Sequence, residues 1–442
     1  MKLIFFFILI LILLNNCSFD NKTGIWNSNE KLAKKKIGTF NEFKALSISK
    51  DNFNKTIKIK KNYNFSLPAK LKNKQWIDIF YNQSNNQNNL SYSEKKNIIK
   101  KSKKISKQKS HSLILFKNDN LITTDIKGNV IVFSAIENKI ITKFNFYKKK
   151  FKKIEKNLNI IIEGNIIYIS DNIGFIYAFD YENKKILWAL NNKIPFRSNL
   201  KIKDNKLITA DQNNNVYFFN KNNGNIIKLI PTEDSKIKNN FINNFSLSNN
   251  LIMFLNTYGS LYGIDKENLK IKWVINLNQS LDVNPNNLFN GNPVVNNNNF
   301  VVVTSHQSTY VIDSATGSLI NKYDIVSQLK PLIIDNHLFL VSTNNFLICI
   351  NLLNGEIVYS YEINDQIAEY FNVKKKTVTF QSLMFANNKI IILLKNSYIL
   401  EFEINGSLID VFKLSAKINS NLIFIDNYIL FLDRKNKLIV LG

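Results

Sequence analysis

The chain has 442 residues, 45% of them hydrophobic and 33 of them Phe, enough apolar material for a large core; its 13 Gly rule out a Gly-rich repeat. The formal net charge of +26 would suit a nucleic-acid partner, but Arg197 and Arg434 are the only Arg, and Arg is the side chain that grips phosphate and base edges with a fork of donors. The composition therefore speaks against nucleic acid. Three His, at 111, 306 and 337, stand far apart, and there is no Gly-rich phosphate loop and no Gly-x-Ser-x-Gly elbow, so no metal, nucleotide or hydrolase chemistry is readable.

The first element is an export signal. Lys2 supplies a positive start, Leu3 to Leu14 is an unbroken apolar run, and Asn15-Asn16-Cys17 follows, the pattern of a bacterial lipoprotein signal over residues 1–16 with Cys17 as the residue to be acylated. Asn16 departs from the small residue usual before such a Cys, and Ser18 after it suits sorting to the outer membrane. Residues 17–60 are polar and Lys-rich and read as a flexible tether. Next comes an isolated aromatic run, Asn73 to Tyr81 around Trp76, and then a Lys-dense stretch from Lys95 to Lys109 that reads as a solvated loop or edge strand.

From residue 125 a unit recurs. Its marker is a short polar turn between two apolar runs: Asp125 to Gly128, Asp171 to Gly174, Asp211 to Asn214, Asn256 to Gly259, Thr304 to Gln307, Ser342 to Asn345, Leu394 to Ser397 and Asp433 to Asn436. Asp or Asn at the head of a turn accepts hydrogen bonds from its own backbone, and Gly or Asn at the end tolerates positive φ, so these are hairpin turns, only the seventh lacking a polar head. A second turn begins nine residues after the head, at Asp180, Asn220, Asp265, Asp313 and Asn351 among others, and an aromatic follows it at Trp188, Trp273 and Tyr359. The intervening runs are rich in Ile, Val, Phe and Tyr and suit sheets buried on both faces. Eight such units predict an all-β, eight-bladed β-propeller of four-stranded antiparallel blades over 61–442. The chain ends inside the third strand of the eighth unit, so an N-terminal strand must complete that blade; the expected donor is Asn73 to Tyr81. Trp188, Trp273 and Tyr359 share one register, which favours blade-to-blade packing over a ligand platform.

The units Gly174 to Trp188 and Tyr310 to Ile320 resemble the repeats of quinoprotein-like propellers, shared by quinone-dependent alcohol dehydrogenases and by the BamB family of outer-membrane lipoproteins. Cys17, the tether and eight units together look like the latter family. The resemblance implies a non-enzymatic scaffold without cofactor or metal, anchored by lipid at the periplasmic face of the outer membrane. It also implies docking on the periplasmic domains of a BamA-type barrel protein and assistance to unfolded outer-membrane proteins. It places part of the docking surface just before the third unit, here Ile194 to Ser198, with Phe196 and Arg197 as the contact residues. The family's acidic contacts before the fifth unit have no counterpart in Leu288 to Pro293. A periplasmic quinoprotein-like enzyme or a ligand-binding propeller stays open as the alternative, although the vicinal Cys pair and calcium ligands of the enzymes are not found.

Overall fold

The computed structural model describes residues 47–48, 53–234, 243–278 and 288–442. The expected signal, Cys17 and most of the tether lie outside them. The described residues form eight four-stranded antiparallel sheets, a β-propeller, with the strands in sequential order in the first seven and the fifth sheet carrying one extra strand. The first blade comprises Leu115–Lys117, Asn120–Thr124, Asn129–Ser134 and Lys139–Asn145; the following blades occupy 158–191, 201–230, 244–276, 295–323, 332–362, 380–413 and 423–441.

The turn chemistry anticipated from sequence is what builds these blades. Asp171 Oδ1 accepts from the backbone N–H groups of Ile173, Gly174 and Phe175, each at 2.8 Å, and Asp211, Asn256 and Asp433 accept in the same way from the residues two and four positions on. At the fifth unit the head is Ser305, not Thr304: its Oγ receives Gln307 N and Ser308 N at 3.1 Å. Second strands such as Leu251–Leu255 and His337–Val341 are buried along their whole length, while outer strands such as Ile226–Ile230 expose alternate or successive side chains. This gradient follows from radial packing, in which the two central strands of a blade have neighbours on both faces. Among the described residues one α-helix interrupts the β pattern, α1 (Ile363–Phe371), which sequence periodicity did not suggest; it ends where Asn372 adopts the left-handed conformation at φ 50°.

Closure differs from the expectation. The outer strand of the eighth blade is Ile98–Lys101, paired antiparallel with Leu438–Leu441, and not the run around Trp76. An outer strand shows one face to solvent, and Ile98 and Ile99 are 40% and 55% exposed, whereas Trp76 and Ile79 are buried and belong inside. Residues 73–90 instead run round the propeller axis and bond to the inner strand of every blade in cyclic order. Asn73 meets Phe424 and Asp426 of the eighth blade, Trp76 pairs with Phe116 of the first, and the Ile77 carbonyl receives Ile162 N of the second. Gln83 reaches Ile202 of the third and Leu247 of the fourth, Ser84 takes Asn296 N of the fifth, Asn86 exchanges two bonds with Ile333 of the sixth, and Leu90 bridges Phe385 and Asn387 of the seventh. The inner edges that a propeller leaves unpaired are thus satisfied by one segment. Upstream, Ser47–Ile48 adds in parallel to the outer strand of the fifth blade and Ile57 bridges Ser360 of the sixth, so these residues of the expected tether lie against the propeller.

Candidate docking site

The loop before the third blade is fixed from both sides. Phe196 N donates to the Asp171 carbonyl of the second blade at 2.9 Å, and Arg197 N donates to Ala210 O of the third at 3.1 Å. Ser198 Oγ contacts Thr209 Oγ1 and receives Ala210 N, and the Asn199 amide exchanges two bonds with the Phe245 backbone of the fourth blade. The structure corrects the expected role of Phe196. Its ring is 1% exposed and stands edge-on to Tyr217 and Phe219, so it wedges the loop into the core and does not face outward.

Arg197 is half-buried. Its Nη2 donates to Gln212 Oε1 at 3.4 Å, its Nε is buried without a hydrogen-bond partner, and among the described residues no carboxylate pairs with it. Burial pushes its guanidinium pKa down, because the charge is taken from water with nothing to replace it. A guanidinium presents five donors in a plane, so a fork remains for an acceptor supplied from outside.

A carboxylate that sequence reasoning passed over lies on the same face. Glu233, in the loop after the third blade, accepts from Ser260 Oγ at 2.6 Å and from Tyr262 and Asn256. Burial opposes its ionisation, but these donors outweigh it and hold the Glu233 carboxyl below the usual range. The turn 211–214 links both loops: Gln212 meets Arg197, and Asn214 Nδ2 donates to Glu233 O at 3.0 Å. A lone Glu in Pro231-Thr-Glu-Asp234 carries no motif, which is why the sequence did not single it out. The loop before the fifth blade, with Phe289 N bonded to Thr257 O and His306 N to Asn290 O, opens on this same face and contributes no acid over 288–293.

A second polar cluster sits on the axis. Lys201 is fully buried, and its Nζ donates to Asp78 Oδ2 at 2.6 Å, Asn85 Oδ1 at 2.6 Å and Asn82 O at 2.8 Å. Lys330 Nζ donates to Asn85 O at 2.7 Å, and burial together with the Lys201 charge pushes its pKa down to about 8. The residues present do not fit a quinone cofactor with its metal. Residues 73–90 occupy the axis, no group of three His, Cys, Asp or Glu among the described residues could hold a metal ion, and Cys349 is a buried thiol in the sixth blade with no described Cys beside it. His337 and His111 serve locally: His337 Nε2 meets Tyr63 Oη at 2.6 Å and His111 Nδ1 meets Thr124 Oγ1 at 2.7 Å, and burial pushes both imidazole pKa values down.

The fold recurs in solved structures. BamB from Moraxella catarrhalis superposes with a TM-score of 0.60 at 13% identity, covering 78% of this chain and 99% of that one. A computationally designed protein, Ika8, gives 0.57 at 12% identity over 76% and 96%, and a europium-containing methanol dehydrogenase gives 0.60 at 10% over 83% and 89%. At such identities these likenesses speak for the propeller alone. No curated protein sequence matches the chain. A family model described as outer membrane protein assembly factor BamB matches residues 127–361, just over half of the sequence. The chain belongs to the BamB family of outer membrane protein assembly factors.

Proposed function

We propose that the chain is a non-enzymatic scaffold lipoprotein of outer-membrane protein assembly. Cys17 is acylated and anchored at the periplasmic face of the outer membrane, and the propeller docks on the periplasmic domains of a BamA-type barrel protein to assist insertion of unfolded outer-membrane proteins. The observation that carries the docking is Arg197: a rigid loop holds a guanidinium that is partly desolvated, lacks a carboxylate of its own and keeps Nε unpaired. Such a group gains most from a partner's acid, because its desolvation has already been met in the free protein. Glu233, fixed beside the same turn, supplies the opposite sign and so favours one orientation of the partner. The axial segment favours the scaffold over a quinoprotein enzyme, since the space a cofactor would need is chain.

Capture of the barrel protein's periplasmic domains by the tagged, detergent-solubilised chain tests this reading. Arg197→Glu should weaken capture by about thirtyfold or more, the equivalent of about 2 kcal/mol at a hot spot. Capture unchanged by charge reversal, in a variant that melts like the parent, would remove the docking assignment.

A further inference from the structure

Between the axial segment and the starts of the inner strands of the first, sixth, seventh and eighth blades lies a cavity of about 200 Å³. Most of its wall is apolar, with Trp76, Ile79, Leu113, Met384 and Leu422 prominent. Polar side chains interrupt that wall at Lys330, Gln87, Gln381, Ser382 and Asn421, of which Gln381 is already bonded to Ser420 O. Gln87 is 6% exposed, and neither its Nε2 nor the buried Oγ of Ser382 has a hydrogen-bond partner. Lys330 gives one bond to protein, to Asn85 O, out of the three its ammonium can make.

Buried donors without acceptors are uncommon in native proteins, because leaving them unmade costs the full desolvation of the group. The charge balance is also incomplete. The neighbouring Lys201 spends all three donors on Asp78, Asn85 and Asn82, so Asp78 is the one carboxylate set against two lysines. One positive charge is left over at the cavity wall.

We propose that this cavity is a binding site for a small organic monocarboxylate with an apolar body, its carboxylate received by Lys330, Gln87 and Ser382. The single excess charge matches a monoanion; a di- or tricarboxylate would bring more negative charge than the cluster can offset. The apolar wall receives the body of the ligand and excludes purely inorganic anions, which would gain nothing from it. Binding would also return the Lys330 amine to its charged form, so the complex takes up protons near pH 8, where the free site is half-titrated.

Titration calorimetry of the full chain in detergent with sodium benzoate, benzyl alcohol and sodium sulfate tests this. One benzoate should bind per chain, benzyl alcohol should bind at least tenfold more weakly, and sulfate should give no saturable heat. At pH 8, buffers of different ionisation heat should reveal proton uptake with benzoate. Lys330→Met should weaken benzoate at least tenfold and abolish the uptake. Because that change also removes the bond to Asn85, the pair Gln87→Leu with Ser382→Ala provides a second reading: the lysine stays, and benzoate should still weaken severalfold. No benzoate binding at millimolar concentration, equal binding of benzyl alcohol, or undiminished affinity in both variants would overturn the proposal.

Discussion

Trp188 Nε1 donates a 2.8 Å hydrogen bond to the carbonyl of Lys221, which fastens the outer strand of the second blade to the hairpin turn of the third. The indole lies on Gly224 of that turn, where φ is +78° and a Cβ would stand 2.6 Å from the ring. Trp273 on Gly317 and Tyr359 on Gly406 repeat the contact at two further seams, Tyr359 Oη donating to Ile404 O at 3.0 Å. Gly224→Ala therefore meets two penalties at once, a left-handed backbone costing about 1–2 kcal/mol and a clash with a ring already bonded in place costing about 1–3 kcal/mol. Denaturant unfolding should show a loss of about 2–4 kcal/mol; a loss below 0.5 kcal/mol would mean that the indole moves aside freely.

Closure of the eighth blade separates the two N-terminal elements. Replacing Ile98–Lys101 with a Gly/Ser linker should leave the axial segment intact but expose Leu438–Leu441 as an open edge, producing concentration-dependent aggregation measurable by light scattering. Trp76→Ala should leave the edge closed and cost about 3–5 kcal/mol through lost burial. If the linker variant stayed monodisperse and Trp76→Ala aggregated, the two roles would be reversed.

The Lys330 amine titrates at about 8 in the folded chain against 10.5 when unfolded. Between those values the unfolded chain holds a proton that the folded chain has shed, so stability rises with pH across that window; below pH 8 both states are charged and the penalty is fully present. Above about pH 10 buried tyrosines such as Tyr310 and Tyr81, whose pKa values burial raises, turn the slope downward again. Melting temperature measured from pH 7.5 to 9.5 should climb in the parent and flatten in Lys330→Met. Parallel curves would show that Lys330 is not the titrating group.

Mass analysis of the mature N-terminus should find Cys17 carrying acyl chains, and Cys17→Ser should leave an unacylated protein that no longer fractionates with outer membranes. An unmodified Cys17 in membrane fractions would end the lipoprotein proposal.

The blades were legible in the sequence because each is specified locally. Asp171 and its three backbone donors lie within five consecutive residues, and Trp188, Trp273 and Tyr359 each stand eight residues after the head of a second turn, so spacing alone reveals them. The axial segment was not legible. Asn82-Gln-Ser-Asn-Asn-Gln-Asn-Asn89 reads as a linker in an Asn-rich chain, and its function lies in side-chain amides meeting backbone groups of distant strands, such as Asn85 Nδ2 with Phe245 O and Val294 O, both at 2.7 Å. No period records such contacts. Lys201 and Lys330 were hidden for a similar reason: two among many lysines, distinguished only by where the fold puts them. In the loop before the third blade, sequence could not say that Phe196 points inward, since a single apolar residue in a loop carries no facing signal.

The axial segment imposes an order of assembly. Its bonds reach as far as Phe424, 351 residues from Asn73, and its hydrogen-bond partners belong to all eight inner strands, so no partial ring offers it a complete seat. During synthesis these residues emerge first and must wait for the last, a high-contact-order arrangement in which the loop-closure entropy is lost before the contacts are gained. The same requirement acts as a check on completeness: a chain cut short before Ile423 would leave both Ile98–Lys101 and the central segment without a full set of partners, and would expose them together to degradation.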